Sequence, residues 1–165
     1  MTRRVFFSFH YERDNWRAGV VRNSNVVEGP TITEEGFIDS AEWEELKQQG
    51  DDAIESWIDD QLKNTSVTVI LIGAETYDRN WVNYEIKQSI NRQNGLLGVR
   101  IHRIKNQYGN TDTRGLNPLD NHQIQFEDGS TRTASSYYKT KDWVLNSGRQ
   151  NMGDWIEEAA ELAGR

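Results

Sequence analysis

The run Ser66 to Ile72, SVTVILI, restricts the fold of this 165-residue chain more than any other segment. It is apolar or β-branched almost throughout and shows no alternation between two faces. A strand of that kind is buried on both sides, as happens where helices cover both faces of a parallel sheet. A short polar loop, GAETYDR, follows it. Next comes an amphipathic helix from about Asn80 to Arg92, with Val82, Ile86 and Ile90 forming its buried stripe. In open α/β sheets, a loop at the carboxyl end of a central strand lies where ligands bind.

The rest of the chain repeats the strand-then-helix alternation. Arg4 to Phe9 (RVFFSF) reads as a buried first strand, and His10 to Asn15 as the loop at its carboxyl end. A weakly periodic helix is expected over Trp16 to Asn23, then a loop from Asn25 to Thr33 containing Gly29 and Pro30. Gly36 to Ile38 reads as a short second strand, followed by a polar segment with Asp39, Ser40 and Trp43. Asp51 to Lys63 is an amphipathic helix: Ile54, Trp57, Ile58 and Leu62 form its stripe. Asp51, Asp52, Glu55, Asp59 and Asp60 form a solvated face, the first two also suiting the helix dipole. Leu96 to Ile101 is a further strand and Asn106 to Asp120 a long surface loop. Gln123 to Phe126 is expected as a last edge strand, with closing helices over Tyr137 to Asn146 and Asp154 to Ala163. The pattern predicts a single domain over residues 1–165 in the three-layer α/β class. Its sheet is flavodoxin-like, doubly wound and mostly parallel, with about five strands.

Composition narrows the chemistry. A net charge of −7 argues against nucleic acid, which needs a concentrated cationic surface. The chain has no cysteine, so disulfides, thiolate metal sites and cysteine nucleophiles are excluded. His10, His102 and His122 show no metal-ligand spacing, and no metal is expected. No apolar run reaches membrane-span length, and MTRRVFFSFHY is too brief for a signal peptide. A soluble, cytoplasmic protein is expected.

Trp81 and Glu85 lie four residues apart, on one helix face. An aromatic plate beside a carboxylate can hold a sugar or nucleotide and stabilise positive charge developing on it. The spacing by itself favours the plainer alternative of a packed Trp and a solvated Glu.

Three strings carry a family resemblance. RVFFSFHYERD resembles the first strand and loop of TIR domains, and GFIDSAEWE their second strand. The stretch GDDAIESWIDDQLKNTSVTVILIGAETYDRNWVNYEI is similar to their helix, strand, loop and Trp-x-x-x-Glu helix. NTSVTVILIG, TYDRNWVNYEI and YKTKDWVLNSG have counterparts in the ThsB family, TIR-like proteins of the bacterial Thoeris antiphage system. Val82 stands where many TIR domains have Cys. The resemblance runs from about Arg4 to Ile156.

It implies an NAD+ glycohydrolase or ADP-ribosyl cyclase in which Glu85 is catalytic. The enzyme would break the nicotinamide–ribose bond and make a signal nucleotide derived from ADP-ribose, a cyclic isomer. NAD+ is the substrate and no cofactor is implied. The product would act on a separate ThsA-like effector, with a phage protein as trigger and self-association as a further feature. Ser8, Phe9, His10, Asp39, Ser40, Trp43, Tyr77 and Trp81 are placed around the ligand by position. Phe9 and Trp43 read equally as core, and Trp81 as structural support for Glu85. Arg13, Arg17 and Arg79 are candidates for the pyrophosphate. The rival implication is a non-catalytic recruitment module, since no second catalytic group stands out beside Glu85. A receiver domain is disfavoured, because Ser8-Phe9-His10 and Gly73-Ala74-Glu75 occupy the places where it needs acids.

Overall fold

The computed structural model describes residues 3–24 and 32–165. The expected loop over Asn25 to Thr33 falls largely outside them. In chain order the elements begin β1 (Arg3–Ser8), α1 (Asn15–Arg22), β2 (Ile32–Glu35), α2 (Ser40–Gln48) and α3 (Asp51–Leu62). Then come β3 (Val67–Ile72), α4 (Asn80–Asn91), β4 (Gly95–Arg100) and a 3-10 turn at Pro118–Asn121. The chain closes with β5 (Gln123–Gln125), β6 (Thr131–Thr133), α5 (Ala134–Tyr137), β7 (Thr140–Asp142) and α6 (Gly148–Leu162).

Five strands form one sheet in the order β2-β1-β3-β4-β7, and every pairing in it is parallel. This is the expected flavodoxin-like, three-layer α/β class. All six residues of β3 are buried, which explains why its sequence has no polar face. Thr68 and Leu96 are partners, as are Val67 and Gly95, so Thr68 and Gly95 project to opposite faces. The Thr68 hydroxyl meets Ser89 of α4 at 2.6 Å, whereas Gly95 lies against Ala159 of α6. The sheet is therefore sandwiched between α4 and α6. The α3 stripe is as expected: Ile54, Ile58 and Leu62 are buried, and Asp51, Asp52, Asp59 and Asp60 are exposed.

Four expectations are corrected. The second strand is Ile32–Glu35, not Gly36 to Ile38. Gly36 has φ +88°, a left-handed conformation that ends the strand. Gln123–Gln125 does not join the main sheet but forms a separate antiparallel ribbon with β6. The fifth strand is instead β7, within the segment read as a helix from Tyr137 to Asn146. The last helix also starts earlier than expected, at Gly148.

Candidate active site at the carboxyl edge of the sheet

The strand order reverses between β1 and β3, because the chain leaves β1 toward β2 and returns on the other side to β3. Ligand-binding crevices form at the carboxyl ends of strands at such a reversal. Ser8 is the last residue of β1, and Gly73 follows the last residue of β3. Glu85 is one turn and a half into α4 and projects from the α4 face of the sheet toward Ser8.

Glu85 has no solvent exposure. The Ser8 hydroxyl donates to its Oε1 at 2.7 Å, and the buried Tyr11 hydroxyl donates to its Oε2. Burial pushes the carboxyl up to about 8, although the Tyr11 and Ser8 hydrogen bonds favour the ionised form. Desolvation wins because two neutral donors do not replace a hydration shell. At neutral pH the resting carboxyl therefore holds its proton, and the Ser8 hydroxyl turns to accept it while Tyr11 still donates. Tyr11 is also pushed well above its ordinary value, by burial first and then by Glu85, so its hydroxyl remains a donor.

Aromatic rings close over this group. Tyr11 contacts Phe9 edge-on, with ring centroids 4.7 Å apart. It also lies against Trp43 at 4.6 Å and edge-on to Trp57 at 5.8 Å. Phe9 and Trp43 are both buried, so each serves the core as well as the site. His10 is buried too, and its Nδ1 accepts the Arg13 amide at 3.2 Å. Burial, reinforced by the charge of Arg79, lowers its pKa and keeps the ring neutral.

Other residues named from the sequence lie differently. Asp39 caps α2, accepting the Glu42 amide at 2.8 Å, and the Ser40 hydroxyl accepts from Asn15 at 3.0 Å. Both are exposed and serve the start of α2. Tyr77 is half-buried, and its backbone carbonyl accepts from Asn83 and Asn121 at 3.0 and 3.1 Å. Trp81 packs edge-on to Tyr84 at 5.8 Å, so Glu85 points inward, neither paired with Trp81 nor solvated. Arg17 is buried and donates to the carbonyls of Ile104 and Asn110, which commits it to holding a loop rather than an anion. Arg13 pairs with Glu75 and Asp112, both at 2.8 Å, and Arg79 with Glu12 at 3.3 Å.

Tyr11 escaped the sequence reading, although it is the second donor beside Glu85. Its only signal was its place three residues after Ser8, in the first loop at the carboxyl edge. Its presence removes the argument that Glu85 stands without a chemical neighbour. A groove of about 590 Å³, lined in part by Ile124, Phe126 and Tyr138, lies away from these residues. Among the described residues, no group of three or more His, Asp or Glu is placed to hold a metal. No helix among them is long and apolar enough to cross a membrane.

The family model described as "Thoeris protein ThsB, TIR-like domain" matches residues 6–106. A protein of Bacillus cereus (strain MSX-D12), named "Putative cyclic ADP-D-ribose synthase ThsB1", is 32% identical to the chain. That alignment covers 94% of this chain and 100% of the relative.

Proposed function

The chain belongs to the TIR-like ThsB family of Thoeris proteins, and on that premise we propose that it cleaves NAD+ to make a cyclic ADP-ribose signal. The observation that carries the proposal is a carboxyl at the β1/β3 reversal, held by Ser8 and Tyr11 inside an aromatic enclosure. Breaking the bond between ribose C1′ and the nicotinamide nitrogen sends the electron pair with neutral nicotinamide. The ribose is left as an oxocarbenium-like cation, which a carboxylate beside it stabilises. No general acid is needed for that departure, so Glu85 acts in its ionised form.

Ionisation comes with the substrate. The nicotinamide riboside is cationic, and an adjacent positive charge favours the carboxylate over the acid. Tyr11 and Ser8 then serve as oriented donors that fix the carboxylate's position. An aromatic, water-poor enclosure favours capture of C1′ by an acceptor within the same molecule, with loss of the acceptor's proton, over capture by water. NAD+ is the substrate and no cofactor takes part. A separate ThsA-like effector receives the product, and a phage component opens the site. The protein works in the cytoplasm.

The test is NAD+ incubated with the protein and phage lysate, with products weighed by mass spectrometry. Nicotinamide and a product lighter than ADP-ribose by one water are expected, and both should vanish in Glu85→Gln. A wild-type rate of NAD+ loss in a folded Glu85→Gln protein would overturn the assignment. One observation favours a second reading, a non-catalytic recruitment module: Glu85 has no exposed surface. That reading requires NAD+ to survive intact in the same incubation.

A further inference from the structure

A second acid at the same reversal is left without a partner. Asp14 is 1% exposed, and neither of its carboxyl oxygens has a hydrogen bond among the described residues. It occupies the N-cap position of α1, where an Asp side chain ordinarily accepts an amide of the first turn. Here it makes no such bond. The side chain turns instead to Gly73, where a Cβ would come within 2.2 Å of its Oδ2. Only glycine at the end of β3 leaves room for the carboxyl. Gly115 in turn rests on the carbonyls of Gly73 and Ala74. Buried polar groups are nearly always paired, and an unpaired one calls for a partner, an ordered water or a bound group.

The surroundings define what could occupy it. Burial raises the carboxyl to about 6, Arg13 and Arg17 lower it, and Asp112 and Glu75 raise it. Both arginines are already engaged, Arg17 on the carbonyls of Ile104 and Asn110 and Arg13 on Glu75 and Asp112. They supply positive charge without a hydrogen bond, so an added cation fits poorly. A carboxylate with two free acceptor oxygens calls for an uncharged group carrying two adjacent donors. The vicinal hydroxyls of a ribose match that requirement, as acids do on ribose in other dinucleotide sites.

We propose that Asp14 is a substrate-binding residue that accepts hydroxyl groups of one ribose of the dinucleotide at the β1/β3 reversal. The proposal rests on the NAD+ reading above and adds a specificity group, carried at the start of α1, to Glu85 of α4. Asp14 is a positioning acid: it holds the sugar while Glu85 acts at C1′.

The experiment compares NAD+ with its two analogues lacking the 2′-hydroxyl of one or the other ribose, in wild type and Asp14→Asn. Wild type should lose about tenfold or more in kcat/KM for one analogue. Asp14→Asn should show a comparably raised KM for NAD+, little change in kcat, and no discrimination between NAD+ and that analogue. Direct binding of ADP-ribose by calorimetry, in the Glu85→Gln background, should weaken in step. A thermal midpoint of Asp14→Asn at pH 8 equal to or above wild type confirms that the fold is kept. An Asp14→Asn protein that keeps the wild-type KM and discrimination overturns the Asp14 proposal alone. Absence of NAD+ binding by wild type overturns both this proposal and the reading beneath it.

Discussion

Replacing Glu85 by Gln should stabilise the protein by an amount that grows with pH. The native carboxyl titrates at about 8 because burial disfavours its charge, against an ordinary value of 4.5. Between those values the folded state holds a proton that the unfolded state has released, so stability falls as pH rises. At about 1.4 kcal/mol per pH unit, the full interval corresponds to roughly 4–5 kcal/mol. Between pH 5 and pH 8 about 3 kcal/mol of that stability is lost. Gln reproduces the protonated carboxyl: its Oε1 accepts from one hydroxyl while its amide donates to the other. It does not titrate, so it escapes the loss. For a chain of this size, the difference in thermal midpoint should open by about 6–12 °C from pH 5 to pH 8. Asp14 titrates in both proteins, so comparing them isolates Glu85. Paired melting curves across that range, followed by circular dichroism, provide the check. A difference that stays flat with pH would show that burial does not hold Glu85 neutral, and the resting-state reasoning would fail.

Two further substitutions address the neighbours. Tyr11→Phe removes a donor that favours the ionised Glu85, so the carboxyl rises further and NAD+ cleavage falls by about tenfold or more, with its pH profile displaced to alkaline values; an unchanged rate and profile would separate Tyr11 from the chemistry. Gly73→Ala places a methyl group against the Asp14 carboxyl, costing about 1–3 kcal/mol, and adding Asp14→Ala should recover most of that loss in a double-mutant cycle. Strict additivity of the two changes in urea unfolding would refute the contact.

The parts of the fold legible in the sequence are those where burial acts on both faces or along one stripe. β3, α3 and α4 announce themselves because most of their buried positions carry apolar side chains. The marginal strands do not. β2 is Ile32-Thr33-Glu34-Glu35 and β7 is Thr140-Lys141-Asp142, and each pairs on one side only. Both are polar and mostly half-buried, so neither carries the apolar strand signal of an interior position. Glu85 stood out beside Trp81 by its spacing, but became the catalytic candidate only through the family resemblance. By spacing it belonged beside Trp81, yet the helix turns it into the protein, where Tyr11 returns from a loop to meet it. Asp14 read as an ordinary loop acid, since nothing in its neighbours signals that Gly73 makes room for it. Contacts of this kind join residues 74 and 59 positions apart, and no local pattern records them.

The two polar margins of the sheet also limit how copies of this chain can meet. At one margin, Glu34 and Glu35 are tied to Arg22 and Arg4, so charged side chains flank β2. At the other, the edge strand is three residues long and includes Lys141 and Asp142. Short, charged edges resist the addition of another strand, the usual route to runaway fibre growth. Copies that gather into an active assembly would have to join through helices and loops. Such a contact can be built and dissolved without extending a sheet, which keeps the sheet itself out of amyloid-like stacking.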